Sequence, residues 1–266
     1  MKLRFKRKYL AVPYVLFLIF FIVVPLFLIV YYAFSNSAGK LSLDAAKNFF
    51  SSSQKIEVLV VSLVYALINT IICILIAYPL AMILSNKKYN KNSVIVMMFI
   101  MPMWINFVIR SGALRDILTW IGLSGGHYPE VATIFGLVYN YLPFAILPLY
   151  TTMLNMDRSQ LEASADLGAN RLQTFTKVYI PLSKPGLTSA ILMIFMPTLS
   201  SYVISDIMSE RKVTLFGGLI NQYFNLGAFN DGSFIALIML ILIVIVAYIS
   251  KKASKDSETT GRGSLW

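Results

Sequence analysis

The 266-residue chain has one cysteine, one histidine and only twelve acidic residues. With Cys73 alone, no disulfide framework can form within the chain, and His127 by itself cannot supply a metal site. There is no G-x-x-x-x-G-K-[ST] phosphate loop, no H-E-x-x-H and no G-x-S-x-G. No polar block is long enough to fold as a nucleotide-binding domain, so the chain reads as neither an enzyme nor the holder of a cofactor. Charged residues make up 13% of the chain, well below the roughly 25% of soluble domains. A net charge of +11 invites a nucleic-acid partner. However, no basic stripe with interleaved aromatics lies on a polar segment, and nucleic-acid binding is set aside.

What the chain does have is apolar length. Hydrophobic residues are 58% of the total and gather into blocks long enough to cross a hydrocarbon core, which takes about 20 helical residues. Six spans are predicted, over 9–34, 58–84, 94–109, 131–152, 187–209 and 232–249, which gives an all-α polytopic membrane protein. The third looks short at Arg110, and either continues through "SGALRDILTWIGL" or lies partly in the interface. The first apolar run exceeds the core of a cleavable signal peptide and reads as a retained anchor. Cys73 falls inside the second span, where a small buried hydrophobe is the ordinary role. Pro25, Pro79, Pro102, Pro143, Pro148 and Pro197 fall in or beside the spans, as packing kinks or as breaks that line a pathway.

Orientation follows from the basic residues, which cytoplasmic loops retain in excess. With the N-terminus inside, sixteen of the 23 fall on the cytoplasmic side. They cluster at 2–8, at 87–91, in 158–184 and in the tail. The predicted organisation is a basic cytoplasmic N-terminus over 1–8, a single membrane domain over 9–250 and a cytoplasmic tail over 251–266.

The longest cytoplasmic segment, 155–186, is polar and amphipathic. Read as one helix, Leu161, Ala165, Gly168, Leu172, Phe175 and Tyr179 share an apolar face, with Glu162, Asp166, Arg171 and Lys177 off it. Such a helix either lies on lipid or docks a partner. Mixed charge and small residues favour docking, and Gly168 could supply a left-handed bend between two short helices. Glu162, Ala163, Ser164, Gly168, Val178, Ile180 and Pro181 resemble the EAA signature of ABC importer permeases, E-A-A-x3-G-x9-I-x-L-P, at every spacing. Ser164, Val178 and Ile180 are conservative departures from it.

The segments "MPMWINFVIR" (101–110), "LVYNYLPFAILPLY" (137–150), "EASADLGANRLQTFTKVYIPLSKPG" (162–186) and "SYVISDIMS" (201–209) are similar to the spermidine/putrescine branch of that family. The resemblance implies a type I importer permease fold in a bacterial inner membrane. It also implies that those seven residues couple to a separate ATP-binding subunit dimer. A second permease subunit, an extracytoplasmic binding protein and the surrounding lipid complete the implied partners. A permease for ferric iron, thiamine, an opine or an amino-acid derivative is the alternative, and a channel or scaffold subunit without an ATPase is a third.

Asp206 is the one acidic residue inside a predicted span, which makes it a candidate to meet a cationic solute. Tyr202, one turn earlier, would add a π face. Asp206 could equally reach interfacial water or pair with Arg211. Trp104, Asn106, Tyr139, Asn140 and Tyr141 complete the pathway candidates, although aromatics at span ends also anchor interfaces and an Asn in a span also bonds a neighbouring helix.

Overall fold

A computed structural model describes residues 12–36, 38–86 and 94–262, with Arg158 and 253–262 described by their backbone alone. The basic clusters at 1–8 and 87–91 and the end of the tail lie outside the described residues.

Backbone groups facing lipid have no water to bond, so long apolar segments satisfy themselves as helices. Eleven helices follow among the described residues. They are α1 (Val12–Ala33), α2 (Asp44–Phe50), α3 (Ser53–Leu84), α4 (Val94–Ile100), α5 (Phe107–Trp120), α6 (Pro129–Leu154), α7 (Arg158–Asp166), α8 (Arg171–Ser200), α9 (Val203–Met208), α10 (Phe216–Asn225) and α11 (Phe229–Arg262). Helices α1, α3, α6, α8 and α11 are each long and apolar enough to cross a membrane.

The predicted third span proves to be broken. Helix α4 runs into a 3₁₀ turn over Met101–Trp104, and α5 leaves it at 99°. Pro102 has no N–H to continue the ladder, and the Asn106 side chain accepts the Val108 N–H at 2.8 Å, so a new helix is capped there.

The fifth span also departs from its predicted limits of 187–209. Helix α8 starts at Arg171 and stops at Ser200, before the extended Ser201. The polar start of α8 is therefore the first part of a spanning helix, and the connecting segment is shorter than 155–186. Asp206 lies beyond the end of that helix, in the separate α9.

The chain forms two compact units. The smaller, residues 1–57 with 219–241, holds an aromatic cluster in which Phe34, Phe49 and Phe50 surround Phe234. Its polar fastening is Asn230, whose amide donates to the Ser35 carbonyl at 2.7 Å and the Tyr32 carbonyl at 3.0 Å. Tyr32 lies in the last turn of α1, whose carbonyls lack helical donors, and Ser35 lies just beyond that helix.

The larger unit, 58–218 with 242–266, packs α3, α6 and α8 through small residues. Cys73, Ala77 and Ala81 of α3 meet Ala145 and Leu149 of α6 and Ala190 and Ile194 of α8. Without a hydrophobic force between helices in lipid, close approach and interhelical hydrogen bonds hold such a bundle. The Asn69 amide donates to Thr198 Oγ1 at 2.7 Å, and the Tyr78 and Ser183 hydroxyls bond at 2.7 Å. Each such bond contributes about 0.6 kcal/mol on average in a membrane.

Candidate functional site

Two places in the larger unit have the build of a site. The first is the segment between α6 and α8. Asp157 opens α7, accepting the Ser159 N–H at 3.0 Å. The Ser159 hydroxyl, then its N–H, hold the Asp157 carboxyl below the usual carboxylate range.

Helix α7 ends in a Schellman turn. The Ala169 N–H returns to the Ser164 carbonyl, the Gly168 N–H returns to that of Ala165, and Gly168 takes φ +79°. Asn170 and Gln173 then form a reciprocal capping box that starts α8. The single amphipathic helix read across 161–179 is therefore two helices with a bend at Gly168. Leu167 and Leu172, 88% and 71% exposed, face away from the bundle. Phe175 and Tyr179 pack against its core, so the six apolar positions do not share a face.

Ser164, at a position where the EAA signature has Ala, lies between α7 and the start of α8. Its hydroxyl donates to the Leu161 carbonyl at 2.8 Å and bonds Thr174 Oγ1 at 3.1 Å. Glu162 and Ala163 are exposed, and Glu162 borders a hollow of about 260 Å³ with Met82, Met153 and Tyr179. Val178 and Ile180 are half-buried, and Pro181 is exposed. The seven residues of the EAA-like pattern thus divide between a presented surface, a buried stay and the root of a long apolar helix.

The second place is a cavity of about 490 Å³, formed where the third and fifth spans break. Trp104, Asn106, Tyr141 and Tyr202 line it, together with Pro197, Ser200 and Ser201. Trp104 is 85% exposed, and the Tyr141 hydroxyl donates to the Pro197 carbonyl at 3.2 Å. Asp206 and Tyr139 are not in the lining. Among the described residues, the ion pairs within 4.0 Å are Lys55–Asp231 and Arg115–Asp116, so Asp206 and Arg211 form none.

A residue outside the sequence-predicted candidates is Arg110, which the hydropathy pattern marks only as the short end of the third span. It lines the cavity and is 8% exposed. Its signal was available in the sequence as a charged residue against an apolar run, which is costly enough to mark function.

No family model matches this chain. The PotB spermidine/putrescine transport system permease protein of Escherichia coli K12 is 32% identical over 214 residues, covering 75% of this chain and 78% of that protein. The PotB protein of Haemophilus influenzae is 30% identical over 259 residues, 90% of each. Among solved structures, a chain of the bacterial alginate ABC transporter in complex with its alginate pentasaccharide-bound periplasmic protein superposes with a TM-score of 0.70. That match covers 93% of this chain and 94% of the other at 17% identity, and it shows the type I ABC importer permease fold. Taken with the spans and the EAA-like segment, this identity over most of the chain means that it belongs to the PotB family of transport-system permeases, the multi-pass inner-membrane subunits of binding-protein-dependent importers.

Proposed function

We propose that this chain carries spermidine or putrescine inward and contributes no bond-breaking chemistry. It would share a pathway with a second, different permease subunit and take its drive from a separate ATP-binding dimer. ATP binding draws the coupling helices together and turns the pathway toward an external binding protein, so the chain is a bistable element biased from both ends. The observation that carries this reading is the Gly168 bend. It presents Glu162, Ala163, Leu167 and Leu172 as a compact knob whose exposed apolar residues need a covering surface.

The cavity suits the cargo in part. Trp104, Tyr141 and Tyr202 supply aromatic groups that attract an ammonium, and Ser200 and Ser201 supply oxygen acceptors. Both termini and the α6–α8 connection face the cytoplasm in this reading. The exposed Arg171, Lys177, Lys184, Lys251 and Lys252 support it.

The test is uptake of labelled spermidine into proteoliposomes holding the whole importer, with ATP on the ATPase side and loaded binding protein on the other. Glu162→Lys should leave the chain in the membrane while weakening ATPase attachment and uptake together. Normal attachment and uptake in that variant would remove the docking interpretation.

A further inference from the structure

Arg110 makes contacts that neither the coupling segment nor the cavity lining explains. Its Nη1 donates to the Pro102 carbonyl at 2.6 Å, and its Nε and Nη2 both donate to Asn140 Oδ1, at 3.1 and 2.7 Å. Asn140 is held in turn, its amide donating to Ser111 Oγ at 2.9 Å and to the Gly136 carbonyl at 2.8 Å. The guanidinium lies 5.4 Å from the Tyr139 ring centroid. Among the described residues no carboxylate comes within 4.0 Å of it. A buried guanidinium is thus held by neutral acceptors alone, and those acceptors belong to the 3₁₀ turn after α4 and to α6.

The location gives the contacts their meaning. At the turn over Met101–Trp104 the 99° bend cuts the helical ladder, Pro102 donates nothing, and the Pro102 carbonyl accepts the Ile105 N–H at 3.2 Å as well as Arg110. Arg110 reaches back across the bend to the Pro102 carbonyl and across to α6, so one side chain joins both halves of the broken span to its neighbour. Trp104 and Asn106, which sit on the tethered stretch, form a wall of the cavity.

We propose that Arg110 is a positioning residue for transport, a clamp that makes the Met101–Trp104 turn move with α6 and so sets where Trp104 and Asn106 stand in the cavity. Its neutral acceptors fit that task. They stand on the two parts to be joined, the Pro102 carbonyl on the turn and Asn140 Oδ1 on α6, so the three bonds persist as those parts move together. The inference rests on the importer reading for its transport consequence, and on the contacts alone for the clamp.

The experiment uses the complete importer, with a nitroxide on Met101→Cys, an exposed residue of the turn outside the cavity lining. Partner cysteines are removed, while the buried Cys73 stays. Arg110→Gln and Asn140→Leu should each mobilise the label. Each should also lower maximal spermidine uptake at least about tenfold, because Asn140→Leu removes two charge-assisted hydrogen bonds and Arg110→Gln removes the charge from all three. KM should hold, because delivery by the binding protein is untouched. Arg110→Lys, which keeps the charge but reaches fewer acceptors, should fall between on both readouts, and it carries the test alone if Arg110→Gln does not assemble. A rigid label with wild-type maximal uptake in these variants overturns the clamp, as does a raised KM at unchanged maximal rate. If the unmutated complex takes up no spermidine, the cargo reading fails, and label mobility still decides the clamp.

Discussion

Gly168 offers the cleanest separation of backbone conformation from side-chain contact. Its φ is +79°, and a Cβ placed on it would meet nothing within 4 Å in this chain. Substitution there has no steric cost inside the permease, only the cost of holding an L-residue in the left-handed region. That cost is about 1–2 kcal/mol for Ala, enough to shift the bend equilibrium by roughly 5- to 30-fold. Asn tolerates the region better and should cost less, while Val, branched at Cβ, should cost more. The expected order of coupling is therefore Gly, Asn, Ala, Val. The assay is ATP hydrolysis stimulated by loaded binding protein in proteoliposomes, read alongside co-purification of the ATPase. Because the N-caps of α7 and α8, at Asp157 and Asn170, do not involve Gly168, membrane insertion should be equal in all four. If Asn couples less well than Ala, side-chain bulk against a partner is the cause and the conformational argument fails. Equal coupling in the unmutated chain and all three variants would show that the bend is not what the ATPase reads.

Other expectations follow from the same geometry. The Asp157 cap, with its carboxyl lowered in the folded chain, contributes fully above the ordinary carboxylate range and is lost as pH falls through the lowered folded value. A spin label on Gln160→Cys should therefore loosen in acid, and Asp157→Asn should remove that pH dependence. A Cβ at Gly217 would stand 2.1 Å from the Ser200 carbonyl oxygen, a backbone atom. Gly217→Ala should accordingly lower thermal stability by about 1–3 kcal/mol, the usual cost of overpacking, and an unchanged melting curve would contradict the close approach. Tyr202→Leu should reduce spermidine uptake more than Asp206→Asn, because Tyr202 lines the cavity and Asp206 does not. The reverse order would restore Asp206 to the pathway.

Residue order alone decided that this protein lives in lipid and where its polar knob would be. Both follow from local chemistry: apolar length sets what can be buried in hydrocarbon, and the Glu162-to-Pro181 spacing is a one-dimensional pattern. The Gly168 bend was legible for the same reason, since a left-handed turn between two capped helices is written in adjacent residues. Hydropathy did not show where spans break. Residues 201–209 continue from an apolar run and hold no proline or glycine to stop it, yet α8 ends at Ser200, because an irregular backbone is tolerated wherever a cavity or a neighbouring helix satisfies it. The clamp was illegible for a stricter reason. Arg110 and Asn140 are 30 residues apart, and nothing local to either says that a buried charge will meet an amide on the next helix. Only the packing of the broken third span against α6 brings them together, and that packing, not the composition of either segment, determines which residues face the cavity.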